Sequence, residues 1–220
     1  MTHHFKDLPH TGVRHLVPYK PGKSIEELAR EKGLTDIIKL ASNENPLGCS
    51  PKALRAIHEV NRHLIATYPS PINHDLMPKL ARRLNLTTDQ IFLSNGSDYI
   101  YSMLLNCFAL HQDKHILTHD YAFSTYVIQA NTFNIPAHSV KVNPDWSVNI
   151  DALIEAVTSQ TALIFVANPN NPTGLLIPPR EIKRLLEHLP QTTILVLDEA
   201  YYEYAQEFIS INSIDWLAEH

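Results

Sequence analysis

The sequence ALIFVANPNNPTG (162–174) places an uninterrupted apolar run directly before a cluster of asparagine, proline and glycine. An apolar run without polar alternation predicts a strand that is covered on both faces of its sheet. The residues that follow it predict a turn. A second run of the same character, TILVLD (193–198), comes after a segment with helical periodicity at 178–188. This order predicts a βαβ unit and a parallel sheet.

The alternation of strands and helices continues on the N-terminal side of this unit. Four more short apolar segments predict strands: IIKL (37–40), IFLS (91–94), HILT (115–118) and HSVKV (138–142). Helices are predicted at 24–33, 51–57, 76–84, 99–109, 123–133 and 151–157. We therefore expect an α/β fold with a mostly parallel sheet.

Two of the predicted helices carry clear signals at their ends. Ser24 and Glu27 form a capping box, in which each side chain satisfies a free backbone amide, and Gly33 predicts where that helix ends. Ser50 predicts the start of the next helix, because Pro51 is well suited to a first helical turn.

The composition excludes several classes of protein. The chain has 220 residues, enough for one large domain or two small ones, and a net charge of -5, which does not favour binding to nucleic acid or an anionic membrane. No apolar run approaches the ~20 residues of a membrane span, and the N-terminus does not resemble a signal peptide. Cys49 and Cys107 form no CxxC motif, which is typical of a reducing compartment. These features predict a cytoplasmic globular protein.

Three loops follow predicted strands, and ligands of parallel sheets bind beyond the carboxyl ends of strands. The first loop is NGSD (95–98). Gly96 permits an unusual backbone angle, and Ser97 and Asp98 would present their amides at the positive end of a helix, where a phosphate binds well. The alternative is that Ser97 or Asp98 only caps the helix.

The second loop is NPNNPTG (168–174), in which two Asn-Pro steps stiffen the backbone. In a rigid loop, Asn171 can direct its side-chain amide into a binding site. The alternative is an ordinary turn, because asparagine, proline and glycine are all common turn residues.

The third loop, DEAY (198–201), follows the apolar strand directly. A carboxylate at the end of a buried strand is costly unless a cation or hydrogen-bond donors meet it. The sequence supplies no adjacent lysine or arginine for Asp198, and the protonated ring of a cofactor would serve. The alternative is that Asp198 is a helix N-cap.

The histidines do not predict a metal site. His111, His115 and His119 have helical spacing, but their segment is predicted as a turn and a strand, so the three rings would not converge on one ion.

Taken together, the chain resembles the histidinol-phosphate aminotransferase family of fold-type I pyridoxal phosphate (PLP) enzymes. The matching strings run along nearly all of the chain: VPYKPGKSIEELAREKGL (17–34), IIKLASNENPLG (37–48), SPKALRAI (50–57), YPSP (68–71), NGSD (95–98), NPNNPTG (168–174) and VLDEAYYEY (196–204). The resemblance implies the three-layer α/β fold of the large domain, with an N-terminal arm at 1–35 and the PLP-binding domain at 36–220.

The resemblance also implies a role for each matching residue. Gly96, Ser97 and Asp98 would bind the cofactor phosphate, and Phe123 would stack on the pyridine ring. Asn171 and Tyr201 would hydrogen-bond its phenolic oxygen, and Asp198 would pair with its ring nitrogen. The remaining matches are Tyr68, which would reach the phosphate of the neighbouring subunit in a homodimer, and Tyr19 and Asn43, which would line the substrate side.

The family's Schiff-base lysine lies downstream of the DEAY aspartate, as do its phosphate-binding serine and arginine and its second, small domain. Here the last lysine is Lys183, before Asp198. We therefore expect these 220 residues to be the N-terminal part of the enzyme and to be inactive alone.

For the complete enzyme, the resemblance implies amino transfer between histidinol phosphate and 2-oxoglutarate, with glutamate as the amino donor in histidine biosynthesis. Three alternatives stay open at this point. The first is another fold-type I enzyme, either a related aminotransferase or a PLP-dependent decarboxylase of phosphate-bearing amino acids. The second is a fragment without catalytic function. The third is a metal-storage or scaffolding protein that uses the histidines.

Overall fold

The structure, a computed structural model, describes residues 5–69, 75–208 and 212–218. The chain divides into two compact units. One consists of Lys20–Leu93, and the other combines Met1–Tyr19 with Ser94–His220. The division at residue 35 that the resemblance implies stays a prediction.

A four-stranded parallel sheet forms the centre of the larger unit. Its strands are β1 (His115–His119), β2 (Ala137–Val140), β3 (Thr161–Ala167) and β4 (Ile194–Asp198). The strand order is β2-β1-β3-β4, and all three neighbouring pairs are parallel. The α/β class and the parallel sheet predicted from the sequence are confirmed.

Ten α-helices lie in the described ranges. In chain order they are α1 (Thr11–Arg14), α2 (Ile25–Lys32), α3 (Pro51–Glu59), α4 (Arg62–Ile65), α5 (Leu76–Leu84), α6 (Ser97–Phe108), α7 (Thr125–Thr132), α8 (Ile150–Ala156), α9 (Pro179–Glu187) and α10 (Tyr202–Ala205). Short 3-10 helices cover Phe5–Asp7, Thr88–Gln90 and Ser213–Ala218. None of these described helices has the length and apolar character that a membrane span requires.

Helices cover both faces of the sheet and produce two apolar cores. On one face, side chains of α6 and α7 pack with Ile116, Leu163 and Phe165. On the other face, side chains of α8 and α9 pack with Leu117 and Ile164. Successive side chains of a strand point to opposite faces, so β1 and β3 contribute to both cores. The result is the expected three-layer arrangement.

The two apolar strands differ in burial. Every residue of β3 is buried, as predicted for a strand that is covered on both faces. The equivalent prediction for 193–197 is wrong in part, because four of the five residues of β4 are only half-buried and Ile194 is exposed. The reason is position: β4 lies at the edge of the described sheet, with β3 as its only described neighbour.

The unit formed by Lys20–Leu93 confirms the predicted helix ends but not the predicted strands. The Ser24 hydroxyl accepts the Glu27 amide at the start of α2, and Gly33 ends that helix with φ 65°. Residues 37–40 and 91–94 are irregular. A strand needs a hydrogen-bonded neighbour, and neither segment has one among the described residues.

The N-terminal segment of the larger unit packs closely on α7. The His10 ring donates a hydrogen bond from Nε2 to the Thr132 carbonyl at 3.0 Å. A Cβ atom at Gly12 would lie 2.1 Å from the backbone oxygen of Asn131. Backbone cannot move aside as a flexible side chain can, so this contact requires glycine.

We therefore expect Gly12→Ala to separate α1 from α7 or to destabilise the protein by about 1–3 kcal/mol, the range for overpacking. Urea unfolding and amide hydrogen exchange at residues 11–15 would measure both effects. Thr11→Ala is the control, because it adds no atoms at an exposed neighbouring position. Equal stability and exchange in the two variants would contradict the close contact.

His119 is the last residue of β1 and is 2% exposed. Its Nδ1 donates to the Asp120 carbonyl at 2.8 Å, and its Nε2 has no partner among the described residues. Burial lowers the pKa of His119 below its ordinary value, and the contact with Asp120 offsets part of that effect. The folded protein therefore favours the neutral ring.

This burial predicts a loss of stability in acid. Above a pH of about 6.5, the ring is neutral in both states. Below it, the unfolded chain binds a proton that the folded chain binds less readily, so the free energy of unfolding falls until the pH reaches the folded-state pKa. Between pH 7 and pH 5, the free energy of unfolding should fall by less in His119→Gln than in the wild type. The exposed His58→Gln variant should behave as the wild type does, and an equal loss in His119→Gln would contradict the assignment.

Candidate active site

Two of the three loops predicted to carry chemistry meet at the carboxyl edge of the sheet, whereas the first, at 95–98, does not follow a strand. The Asn168 amide, just after β3, donates to the Asp198 carbonyl at 2.9 Å, which joins the second loop to the third. The Asn170 side chain donates from Nδ2 to the Tyr121 carbonyl at 3.1 Å, which joins the second loop to the segment after β1. Parallel strands end at the same edge, so this gathering follows from the topology.

The Asp198 carboxylate, at the end of β4, accepts three hydrogen bonds. The hydroxyls of Tyr101 and Tyr126 both donate to its Oδ2, each at 2.6 Å. The Ala200 amide donates to Oδ1 at 3.1 Å. The alternative that Asp198 caps a helix is wrong, because α10 has Tyr201 as its N-cap residue.

These contacts leave acceptor capacity on one atom. A carboxylate offers about four acceptor positions, two on each oxygen. The two tyrosine hydroxyls occupy those of Oδ2, and the Ala200 amide occupies one of the two on Oδ1. One acceptor position on Oδ1 therefore has no donor among the described residues.

An aromatic cluster fixes the two hydroxyls. The Tyr126 ring stacks on Phe165 with centroids 5.0 Å apart, and the Tyr101 ring meets Tyr126 edge-on at 5.1 Å. The Phe123 ring also meets Tyr126 edge-on, with centroids 5.7 Å apart. Tyr101 is 3% exposed and Tyr126 is fully buried. Phe123 and Asp198 are therefore linked through one tyrosine.

The same environment keeps both hydroxyls protonated. Burial is the largest cause that raises the pKa of Tyr101, and its hydrogen bond to Asp198 adds to the effect. Burial also raises the pKa of Tyr126 most, followed by the negative charge of Asp198. A tyrosine that keeps its proton stays a donor, so both contacts are charge-assisted hydrogen bonds.

The start of α6 is suited to an anion. Gly96 is the N-cap residue, with φ 83° and ψ 166°, and no side chain caps the helix. The alternative that Ser97 or Asp98 is the cap is therefore wrong, because both lie within the first turn. The amides of an uncapped helix start, with the positive end of the helix dipole, favour a phosphate. The Ser97 side chain also interacts with the Tyr101 hydroxyl, one turn along α6, which brings this helix start near Asp198.

The NPNNPTG loop is held by its own asparagines. Asn168 donates to the Ile177 carbonyl and accepts the Ile177 amide at 2.9 Å. Asn170 donates from Nδ2 to Thr173 at 2.9 Å as well as to the Tyr121 carbonyl, while its buried Oδ1 has no partner among the described residues. Residues 171–173 form a turn, and Asn171 is half-buried; its role in binding stays a prediction.

The structure brings together part of the predicted set. At the carboxyl edge or beside it lie Gly96, Ser97, Asp98, Phe123, Asn171, Asp198 and Tyr201. Tyr201 is half-buried, with its ring 6.5 Å from Tyr204. Asn43 and Tyr68 belong to the other unit, and both are exposed, as is Tyr19. The role of each residue in the site stays a prediction.

Sequence reasoning missed Tyr101, Tyr126 and Asn170. The signal for the tyrosines was indirect: the Asp198 carboxylate needed donors, and a tyrosine in an apolar helix needs a partner for its hydroxyl. Nothing in the local sequence pairs them, because Tyr101 lies 97 positions and Tyr126 lies 72 positions from Asp198.

These residues fit a ligand of defined chemistry. The free position on Asp198 Oδ1 suits a cationic ring N–H, and the uncapped start of α6 suits a phosphate. Phe123 contacts the ring of Tyr126, whose hydroxyl binds Asp198. Among the described residues, no group of three histidine, cysteine, aspartate or glutamate side chains could hold a metal ion.

Comparison with known proteins supports this chemistry. The family model for aminotransferase class I and II matches residues 35–220. The chain is 65% identical to histidinol-phosphate aminotransferase 2 of Legionella pneumophila (strain Paris) over 216 residues, which cover 98% of this chain and 58% of the relative. The chain thus spans little more than half the length of this relative.

Two solved structures are similar to this fold. Histidinol-phosphate aminotransferase from Sinorhizobium meliloti, in complex with pyridoxal-5'-phosphate, is 26% identical with a TM-score of 0.75, and the match covers 90% of this chain and 52% of that one. L-threonine-O-3-phosphate decarboxylase from Porphyromonas gingivalis is also 26% identical, with a TM-score of 0.56, and the match covers 69% of this chain and 45% of that one.

The backbone of Gly96 generates a test of the strained turn before α6. Its dihedral angles lie in a region that is essentially restricted to glycine, and substitution there costs about 1–3 kcal/mol. A Cβ atom at Gly96 would meet nothing within 4 Å, so strain would be the whole effect of Gly96→Ala. Urea unfolding should show a larger decrease in the free energy of unfolding for Gly96→Ala than for Gly33→Ala. Gly33 also has an open environment, with φ 65°, but in the left-handed helical region that other residues do visit. A smaller loss in Gly96→Ala would contradict the strained turn.

Proposed function

Because the chain belongs to the aminotransferase class I and II family, we propose that it forms the PLP-binding part of a histidinol-phosphate aminotransferase. The observation that carries the proposal is the pairing of an uncapped helix start with a half-buried carboxylate that has one acceptor position left. The identity to the Legionella relative supports the substrate. The reaction would be amino transfer between histidinol phosphate and 2-oxoglutarate or glutamate.

Each residue would have a separate task in this reaction. The amides at Gly96, Ser97 and Asp98 would bind the phosphate of pyridoxal phosphate, and Phe123 would pack against its ring. Asp198 would hold the proton of the ring nitrogen. When bound, the cofactor supplies an electron sink for the charge released as a bond to the substrate's α-carbon breaks.

Asn171 and Tyr201 would act at the other edge of the cofactor ring. Both side chains carry donors, and hydrogen bonds to a charged oxygen favour its ionised form. We therefore assign them to the phenolic oxygen. Tyr19 and Asn43 would line the substrate side.

We also propose a homodimer. Tyr68 is fully exposed, with the whole of its ring available to a second subunit. Its assigned task is to reach the cofactor phosphate of that subunit. The task requires the partner, so a monomeric enzyme would be inconsistent with it.

A second candidate function has one observation in its favour. The chain shares its fold with a decarboxylase that acts, by its name, on threonine O-phosphate. Both candidate substrates carry an amine and a phosphate, and the described residues do not distinguish between them. The two reactions release different products, glutamate or carbon dioxide.

We expect the 220-residue chain alone to show no amino transfer. Its last lysine, Lys183, precedes Asp198, so no lysine among the 220 residues corresponds to the family's Schiff-base lysine. Fusing the chain to the part of the Legionella relative that follows the matched region should restore glutamate formation from histidinol phosphate and 2-oxoglutarate. Light scattering on the fusion would test the dimer.

Asp198→Asn in the same fusion is the matched control. It should lower kcat by about 100-fold or more, the scale for loss of a preorganised electrostatic contact, while the cofactor is largely retained. An inactive fusion beside an active Legionella enzyme would contradict the proposed reaction. Carbon dioxide release from threonine O-phosphate, without glutamate formation, would favour the second candidate.

A further inference from the structure

The Asp198 carboxylate is unusual in how its hydrogen bonds are divided. Both tyrosine hydroxyls converge on Oδ2 at 2.6 Å, while Oδ1 accepts only the Ala200 amide among the described donors. Tyr101 comes from α6 and Tyr126 from α7, so two separate elements hold one oxygen atom. This division distinguishes the two oxygens of the carboxylate.

We propose that Tyr101 and Tyr126 are positioning residues that keep Asp198 ionised and leave Oδ1 as the oxygen that meets the cofactor's ring nitrogen. The proposal rests on the proposed function, because it needs a ring nitrogen at Asp198. It adds two residues that the motif-based assignment does not contain.

The donors on Oδ2 bear on where a proton shared with the ring nitrogen lies. A proton between Asp198 and a ring nitrogen can stay on nitrogen, beside a carboxylate, or move to Oδ1, which leaves both groups neutral. Hydrogen bonds to the ionised form of an acid favour that form. Two charge-assisted donors on Oδ2 therefore favour the carboxylate and keep the proton on nitrogen.

The two tyrosine hydroxyls can only donate to Asp198. Burial and the adjacent negative charge raise the pKa of both tyrosines, so neither hydroxyl gives up its proton to become an acceptor. No lysine, arginine or histidine is shown bonded to Asp198 in the described ranges. The tyrosines thus stabilise the negative charge and leave the positive charge to the ligand.

The packing of the two tyrosine rings is separate from the hydrogen bonds of their hydroxyls. The Tyr126 ring packs against both Phe165 and Phe123, and the Tyr101 ring meets both Tyr126 and Phe165 edge-on. These contacts involve the rings and not the hydroxyls. Replacing either tyrosine with phenylalanine therefore removes one donor and preserves the aromatic packing.

The test uses the fusion with the Legionella relative described above, loaded with pyridoxal phosphate that is labelled with ¹⁵N at the ring nitrogen and observed by NMR. The variants are Tyr101→Phe, Tyr126→Phe, the double variant and Asp198→Asn. The control is Tyr99→Phe, an exposed tyrosine on the same helix that has no contact with Asp198 in the structure. Thermal unfolding of each variant gives its stability.

We expect the ring-nitrogen signal of the wild type and of Tyr99→Phe at the protonated position, and that of Asp198→Asn at the unprotonated position. Each single Tyr→Phe variant should lie between them. The double variant should be displaced by more than half of the span between the wild type and Asp198→Asn. That displacement, in protein that is still folded, supports a positioning role.

Two results would overturn the inference in distinguishable ways. If Asp198→Asn moves the signal but the Tyr→Phe variants only lower the unfolding temperature, the tyrosines are structural and the proposed function stands. If no bound signal is found in the wild type, or Asp198→Asn leaves it at the protonated position, the ring-nitrogen role of Asp198 fails and the inference fails with it.

Discussion

The architecture of the candidate site depends on one carboxylate at the end of a strand. Asp198 follows the apolar residues of β4, where an ionised group loses much of its hydration. Two tyrosine hydroxyls and a backbone amide donate hydrogen bonds to this carboxylate. Hydrogen bonds to a charged group contribute about 1.5–3 kcal/mol each, so these donors offset a substantial part of that cost. The helices that supply them, α6 and α7, are those that cover this face of the sheet.

The same arrangement links the core to the site. Tyr126 packs on Phe165 of β3 with its ring and reaches Asp198 of β4 with its hydroxyl. Tyr101 joins the start of α6 to the same carboxylate. The proposed anion site at Gly96 and the proposed cation site at Asp198 are therefore parts of one packed structure. A ligand that carries both a phosphate and a ring N–H would be held by two elements whose spacing the core determines.

The second loop shows a different use of polar groups. The side chains of Asn168 and Asn170 form hydrogen bonds within the loop and with the segment after β1. Asn171, which we assign to the phenolic oxygen of the cofactor, is the next residue in this loop and is half-buried. Rigid support of this kind is what a binding residue in a loop requires, because a loop has no hydrogen-bond ladder of its own.

Local patterns in the sequence determined much of the fold. The apolar runs identified β3 and β4, Ser24 and Gly33 defined α2, and three loops indicated the chemistry of the site. Local pattern failed where a neighbour decides the outcome: residues 37–40 and 91–94 have strand-like composition but no described strand to pair with. Local pattern also failed to predict the partial burial of β4, because it does not specify that a strand lies at the edge of its sheet.

The donors of Asp198 lie 97 and 72 positions away along the chain. The sequence alone determined that this carboxylate needed partners, and only the tertiary structure decided which, because packing two helices on one sheet face brings distant side chains to the same atom.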